Sequence, residues 1–199
     1  VETNPIEEQK ALQNIAKLNH DVAGLGDRLA SVGQRLHQQR IDDILGSIAK
    51  AITAGDAGLA RANLTQLQSL DPKIKEIPKL SEDLERLEEQ IAFNNALQAM
   101  DQLTANDNWA DALKLASKYR QQFNNYQQFQ QRAEFVARIH RLIIGASGIL
   151  DAPDQLIRPA AKKTAATLVA ESNMALSYSP TLASIIAKLE ETLASYTTP

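Results

Sequence analysis

Apolar residues recur at heptad spacing in the first part of the chain. Ile15, Val22, Leu29 and Leu36 form one row; Ala11, Leu18, Leu25 and Val32 form the other. This is the period of a coiled coil. Asn4 suits a helix cap, Pro5 fits the first helical position, and Glu7 and Glu8 favour the positive end of the helix dipole. The pattern predicts a long amino-terminal helix. Gly24, Gly26 and Gly33 sit in this helix, and Gly26 and Gly33 edge its stripe, where another helix can approach closely, so the stripe fits either a two-chain stalk or packing within one chain. After Leu36 the phase shifts to Ile41, Ile44, Leu45, Ile48 and Ile52, with no Gly or Pro between Leu36 and Ile41, which reads as a helix running on through a stutter. The expected division is a coiled-coil-like stalk over 1–40 and a helical-hairpin domain over 41–199.

The remainder is punctuated by a short signature of apolar residue, any residue, Ala, turn-prone residue, Asp. It occurs as Ile52-Thr53-Ala54-Gly55-Asp56, Leu103-Thr104-Ala105-Asn106-Asp107 and Leu150-Asp151-Ala152-Pro153-Asp154. A period of roughly 50 residues belongs to helical repeat arrays. An Asp ahead of a new helix accepts from the unpaired N–H groups of its first turn, so each signature is expected to close one helix and cap the next. Gly55 and Asn106 suit left-handed helix ends, and Pro153 stops a helix.

Between these breaks the apolar positions predict hairpins. One helix covers Ala57 to Leu70 and stops at Asp71-Pro72; a long one follows from about Leu80 to Leu103. The next pair covers Trp109 to Phe123 and Tyr126 to Leu150, with a turn at Asn124-Asn125. The last opens near Asp154, turns at Ser177-Tyr178-Ser179-Pro180 and closes with Leu182, Ile185, Ile186, Leu189 and Leu193. Pro78-Lys79-Leu80 with Leu84, Leu87, Glu88 and Glu89 is echoed by Pro180-Thr181-Leu182 with Ile186, Leu189, Glu190 and Glu191.

The run Asn106-Asp107-Asn108-Trp109-Ala110-Asp111-Ala112-Leu113 resembles the tetratricopeptide pattern, and Gly55-Asp56 with Leu59 and Ala62 is a fainter copy. The resemblance covers the hairpin starts. It implies a stacked superhelix with a concave peptide-binding face and no enzymatic activity.

Composition agrees with an all-α chain: 44% hydrophobic and only 5% aromatic, with Ala, Leu and Gln outweighing β-branched residues. The net charge of −3 at pH 7 argues against a nucleic-acid partner, which needs clustered cations, and Arg138/Arg141 and Lys162/Lys163 read as solvated faces. There is no Cys, so thiolate metal sites and cysteine nucleophiles are excluded. The longest apolar run, Leu142-Ile143-Ile144, ends at Gly145, far short of a membrane span. Val1 is not an initiator Met and Thr197-Thr198-Pro199 reads as a linker. The expectation is an excised soluble part of a larger, membrane-tethered protein, with a lean toward the periplasm.

No constellation for catalysis, cofactor or metal emerges. His20, His37 and His140 lack the spacing of a zinc helix and read as surface or boundary residues. Glu82, Asp83, Glu85, Glu88 and Glu89 spread over an outer helix face. Gly145-Ala146-Ser147-Gly148 lacks the strand that a nucleophile elbow requires; its glycines suit close helix packing. The distinctive feature is aromatic. Trp109, Tyr119, Phe123, Tyr126, Phe129 and Phe135 share one hairpin with many Asn and Gln residues. These rings fit a wedge between hairpins, or a recognition surface in which Trp109, Tyr119, Phe123, Tyr126 and Phe129 supply pockets while Gln122 and Asn125 bond a peptide backbone. The expected function is a non-enzymatic interaction or scaffold module with a protein or peptide partner, capable of homodimerising through its first helix. The alternative is an extracytoplasmic ligand-sensing bundle with an enclosed, partly polar pocket.

Overall fold

The computed structural model describes residues 4–18 and 24–197; the predicted positions Val22 and His20 lie outside them. The described residues are all-helical: α1 (Pro5–Leu18), α2 (Leu25–Ala54), α3 (Ala57–Leu70), α4 (Ile77–Ala105), α5 (Trp109–Tyr119), α6 (Gln127–Leu150), α7 (Pro159–Ser172) and α8 (Pro180–Thr197). Short 3-10 helices cover Pro153–Ile157 and Leu176–Tyr178. Two compact units divide between Gln90 and Ile91, within α4. No helix among the described residues is long and apolar enough to cross a membrane.

In the first unit α1 starts as expected, with Asn4 Oδ1 accepting from the Ile6 N–H at 3.0 Å. It packs on α2 of the same chain: Leu12, Leu25 and Val32 are buried together, with Ala16, Leu29 and Leu36 partly buried around them. Glu8 meets Arg35 at 2.6 Å and Arg28 at 3.6 Å. Part of the heptad seam is thus covered from within the chain, while Ile15 stays 43% exposed. The expected single helix is two, and Gly24, at φ 76, starts the second; a left-handed residue there suits Gly, which has no Cβ to clash. Helix α2 then passes residue 40 unbroken, so the expected stalk boundary falls inside a helix.

Ile41, Ile44, Ile48 and Ala51 of α2 bury against Ala60, Leu64 and Leu67 of α3 and against Ile77 and Leu84 of α4. Helix α3 ends where predicted. Asp71, which precedes Pro72, is extended (φ −155, ψ 105), because the proline ring crowds a helical residue before it. Arg61 grips Glu88 with two N–H groups, an exposed pair of small energetic weight.

The second unit takes the rest of α4 with α5 to α8. Phe93, Ala96 and Met100 of α4 pack with Ala116, Phe123, Phe129 and Ala133. A second core joins Val136, Ile139, Leu142 and Ala146 of α6 to Ala165 of α7 and to Leu182, Ile186 and Leu189 of α8. At Gly145 a Cβ would lie 3.4 Å from Leu168, marking the close approach of α6 and α7 that the glycine pair suggested; Gly148 faces open space.

The three signatures have three outcomes. At the first, Gly55 is left-handed (φ 75) and the Asp56 N–H donates to Ala51 O while the Gly55 N–H donates to Ile52 O, a Schellman closure. Asp56 then caps α3, accepting from the Leu59 N–H at 2.9 Å. At the second, the same bonds run from Asn108 to Leu103 and from Asp107 to Thr104. The register has slipped by one residue. Asp107, not Asn106, is left-handed (φ 58), and Asn108 caps α5 by accepting from the Asp111 N–H at 3.3 Å. At the third there is no cap of this kind. Asp154 sits in a 3-10 helix and α7 opens at Pro159, because Arg158 before that proline is extended (ψ 129) and cannot continue a helix from Asp154.

Released from local capping, Asp107 reaches across the sequence. Its Oδ1 accepts from Trp109 Nε1 and from the Ser179 hydroxyl, each at 2.6 Å, and its Oδ2 accepts from the Thr181 N–H at 2.8 Å. Ser179 in turn accepts from the Leu182 N–H at 3.0 Å. Two unpaired donors of the first turn of α8 are therefore satisfied, one of them by a residue more than 70 positions away. Burial raises the carboxyl's affinity for a proton, but the bonds from Ser179, Thr181 and Trp109 outweigh it and hold its pKa below 3.8.

Asp107→Ala is expected to lower unfolding free energy by about 1–3 kcal/mol in urea titration. Asp107→Asn, which tolerates the left-handed backbone, should cost less. Because the folded-state pKa is depressed, the charged carboxylate's contribution is complete above 3.8 and lost as pH falls through the lower folded value. The stability gap between the native chain and Asp107→Asn should therefore narrow in acid; a gap that widened would contradict the bonding described.

Candidate interaction surface

The aromatic residues of α5, α6 and their connecting turn form two sets of touching rings, one in each core of the second unit. Phe93 stacks on Tyr126 with ring centroids 4.6 Å apart, and meets Phe123 edge-on at 5.6 Å; Phe123 contacts Phe129 at 5.2 Å and Tyr119 at 5.6 Å. Trp109 meets Phe135 at 5.9 Å, and Phe135 meets Tyr178 at 5.1 Å. Exposure is 3% at Trp109 and 0% at Phe123 and Phe129. A ring with no free surface cannot insert into a partner, so these three belong to the wedge and not to a contact surface. Tyr119 and Tyr126 are half-buried, and Gln122 and Asn125 are exposed at the turn. Gln130 has a structural task, donating to the Phe123 carbonyl at 3.0 Å across the turn.

One ring in each set carries no sequence signal: Phe93 is the lone aromatic of α4 and Tyr178 lies in a turn sequence, both outside the aromatic-rich hairpin.

Outside these two sets of rings, α6 is flanked by grooves. One, of about 390 Å³, lies toward α4 and is lined by Leu97, Asp101, Gln128, Gln131, Arg132 and Phe135. Arg132 is ion-paired to Asp101 and lies 5.8 Å from the centre of the Phe135 ring, so its charge is committed on two sides. The other lies between α5 and α6. Its first part, about 310 Å³, includes Leu113, Arg120, Glu134, Ala137, Arg138 and Arg141. It shares Leu113, Ala137 and Arg141 with a shallower stretch of about 440 Å³ that adds His140, Ile144 and Gly145.

Among the described residues no group of His, Asp or Glu converges as metal ligands. The acidic run on α4 is partly engaged: Arg86 pairs with Glu82 and Asp83, and Arg61 with Glu88. His37 is exposed and His140 half-buried.

Comparisons with family models, curated proteins and solved structures find no match for this chain.

Trp109→Ala and Phe129→Ala are each expected to destabilise the fold by about 3–5 kcal/mol, whereas Gln122→Ala and Asn125→Ala should stay within about 0.5 kcal/mol of the native chain. Urea unfolding of the four variants decides this. A Trp109→Ala protein of native stability would return that ring to the list of contact residues.

Proposed function

We propose that the chain is a non-enzymatic protein-interaction module whose second unit presents the α5–α6 hairpin to a protein or peptide partner. The observation that carries this reading is the division of labour within the hairpin. Its largest rings are sealed inside, which fixes the two helices against each other, while open grooves run along two sides of α6. A stiff pair of helices with grooves at its surface favours binding, because little freedom is lost when a partner docks. The α5 start, with its tetratricopeptide-like residues, fits a hairpin stacked on further hairpins, and the half-buried Tyr119 and Tyr126 with exposed Gln122 and Asn125 extend the contact zone to the turn. The sensing-bundle alternative has less support. A cavity between the end of α6 and the start of α7 holds about 290 Å³, and Gly148, Ile149, Leu156 and Ala161 dominate a wall where only Gln155 and Thr164 are polar.

Site-specific photocrosslinking tests the reading. A crosslinkable residue placed singly at Gln128, Ile144 and Asn125, and at Lys50 of the first unit as reference, should give protein adducts concentrated on the α5–α6 positions in cells producing the full chain. Adducts confined to Lys50, or none at any position, would defeat it.

A further inference from the structure

Charge is unevenly distributed along this chain. From Leu113 to Ile144 there are six cations, Lys114, Lys118, Arg120, Arg132, Arg138 and Arg141, and one carboxylate, Glu134. That is a net +5 within a chain of −3, leaving −8 for everything else. Local pairing consumes part of it: Lys114 meets Asp111 at 2.8 Å, and Arg132 meets Asp101. Arg120, Arg138 and Arg141 are different. All three are exposed and line the α5–α6 groove, and no carboxylate within salt-bridge distance of them is found among the described residues. Among the described residues Arg138 donates only to the Glu171 backbone carbonyl, at 3.4 Å.

The same groove has an apolar floor. Leu113 and Ala137 run through it, and Ile144, 59% exposed, lies in its continuation one turn beyond Arg141. Glu134, Ala137, Arg138, Arg141 and Ile144 follow the spacing of a single helix face. At 1.5 Å per residue that face is about 15 Å long, or roughly three turns of a docked helix. Cations along an apolar trough match a ligand having both carboxylates and a hydrophobic side. A duplex or a bilayer fits less well. A duplex has no use for the apolar floor, and a bilayer is met by protruding apolar side chains, not by a recess between two helices.

We propose that this groove receives an acidic amphipathic segment of a partner protein, whose carboxylates pair with Arg120, Arg138 and Arg141 and whose apolar side covers Leu113, Ala137 and Ile144. The assignment rests on the interaction-module reading above and names the chemistry of its partner. Charge complementarity of this kind speeds encounter and sets register, and the apolar contact prolongs the bound state.

The test uses fluorescence polarisation on the full chain with three labelled synthetic peptides. One is helical, with Leu at i, i+3, i+4 and i+7 and Glu elsewhere; the second replaces Glu by Lys; the third replaces Leu by Ser. Binding of the first alone, weakened by salt, is expected. Arg138→Glu, Arg141→Glu and Ile144→Gln should each reduce affinity on the order of tenfold, with unchanged circular dichroism, while Arg86→Glu on α4 should leave it intact. Failure of the acidic Leu peptide to bind, equal binding of the Lys or Ser peptide, or indifference to all three groove variants would each overturn the proposal. So would binding of phosphatidylglycerol vesicles or of a DNA duplex, without peptide binding, that disappears in Arg138→Glu. Dimers in sedimentation that Arg138→Glu abolishes would do so too, making the occupant a second copy. Crosslinked adducts at Gln128 or Asn125 in the face of a negative peptide result would leave the module reading standing and remove only the acidic partner.

Discussion

The second unit depends on how one carboxylate is held. Asp107 sits in a left-handed conformation that costs an ordinary side chain roughly 1 kcal/mol or more, and in that position its oxygens face three donors, one two residues away and two from a distant part of the chain. The bonds join the α4–α5 junction, the indole of Trp109 and the start of α8. Charge-assisted bonds of this type are stronger than neutral ones, and here they replace water for donors that a helix start leaves unpaired. With that junction fixed, Trp109 is held against Phe135, and Phe135 against Tyr178. Local backbone geometry, a helix cap and an aromatic chain become one arrangement.

Much of this architecture was legible from residue order. The end of α3 at Leu70, the start of α5 at Trp109, the limits of α6 and the Asp56 cap follow from apolar periodicity and from the punctuation of Pro, Gly and Asp. The misses have specific physical origins. A one-residue slip separates the first signature from the second, because Asn108 is itself a good cap and leaves Asp107 free to take the place that Gly55 has in the first. No local pattern reports a bond between residues 107 and 181. The third signature ends differently because Pro159 moves the next helix start downstream. The heptad rows looked continuous from Ile15 to Leu36, yet a left-handed Gly24 interrupts them and the seam closes on α1 of the same chain.

The candidate site divides in the same manner. Aromatic clustering singled out the α5–α6 hairpin, but hydrophobic rings are drawn inward, and burial assigns Trp109, Phe123 and Phe129 to the core. The proposed contact surface rests instead on charge. Whole-chain charge hides it, since a stretch of net +5 from Leu113 to Ile144 disappears in a total of −3. Arg138 and Arg141 looked like a solvated face because the neighbouring trough exists only once α5 lies beside α6. The interaction reading thus couples the two: a rigid aromatic interior holds α5 and α6 at a fixed spacing, and that spacing makes the groove.

The most direct measurement of this account is the Thr181 amide proton by nuclear magnetic resonance. A backbone N–H bonded to the Asp107 carboxylate should resonate downfield at neutral pH, move upfield as pH drops below 3.8 with the titration of that carboxyl, and lose its pH response in Asp107→Asn. A Thr181 amide at an ordinary position and indifferent to both acid and Asp107→Asn would mean that the junction is held by something else, and the fixed hairpin on which the groove depends would lose its foundation.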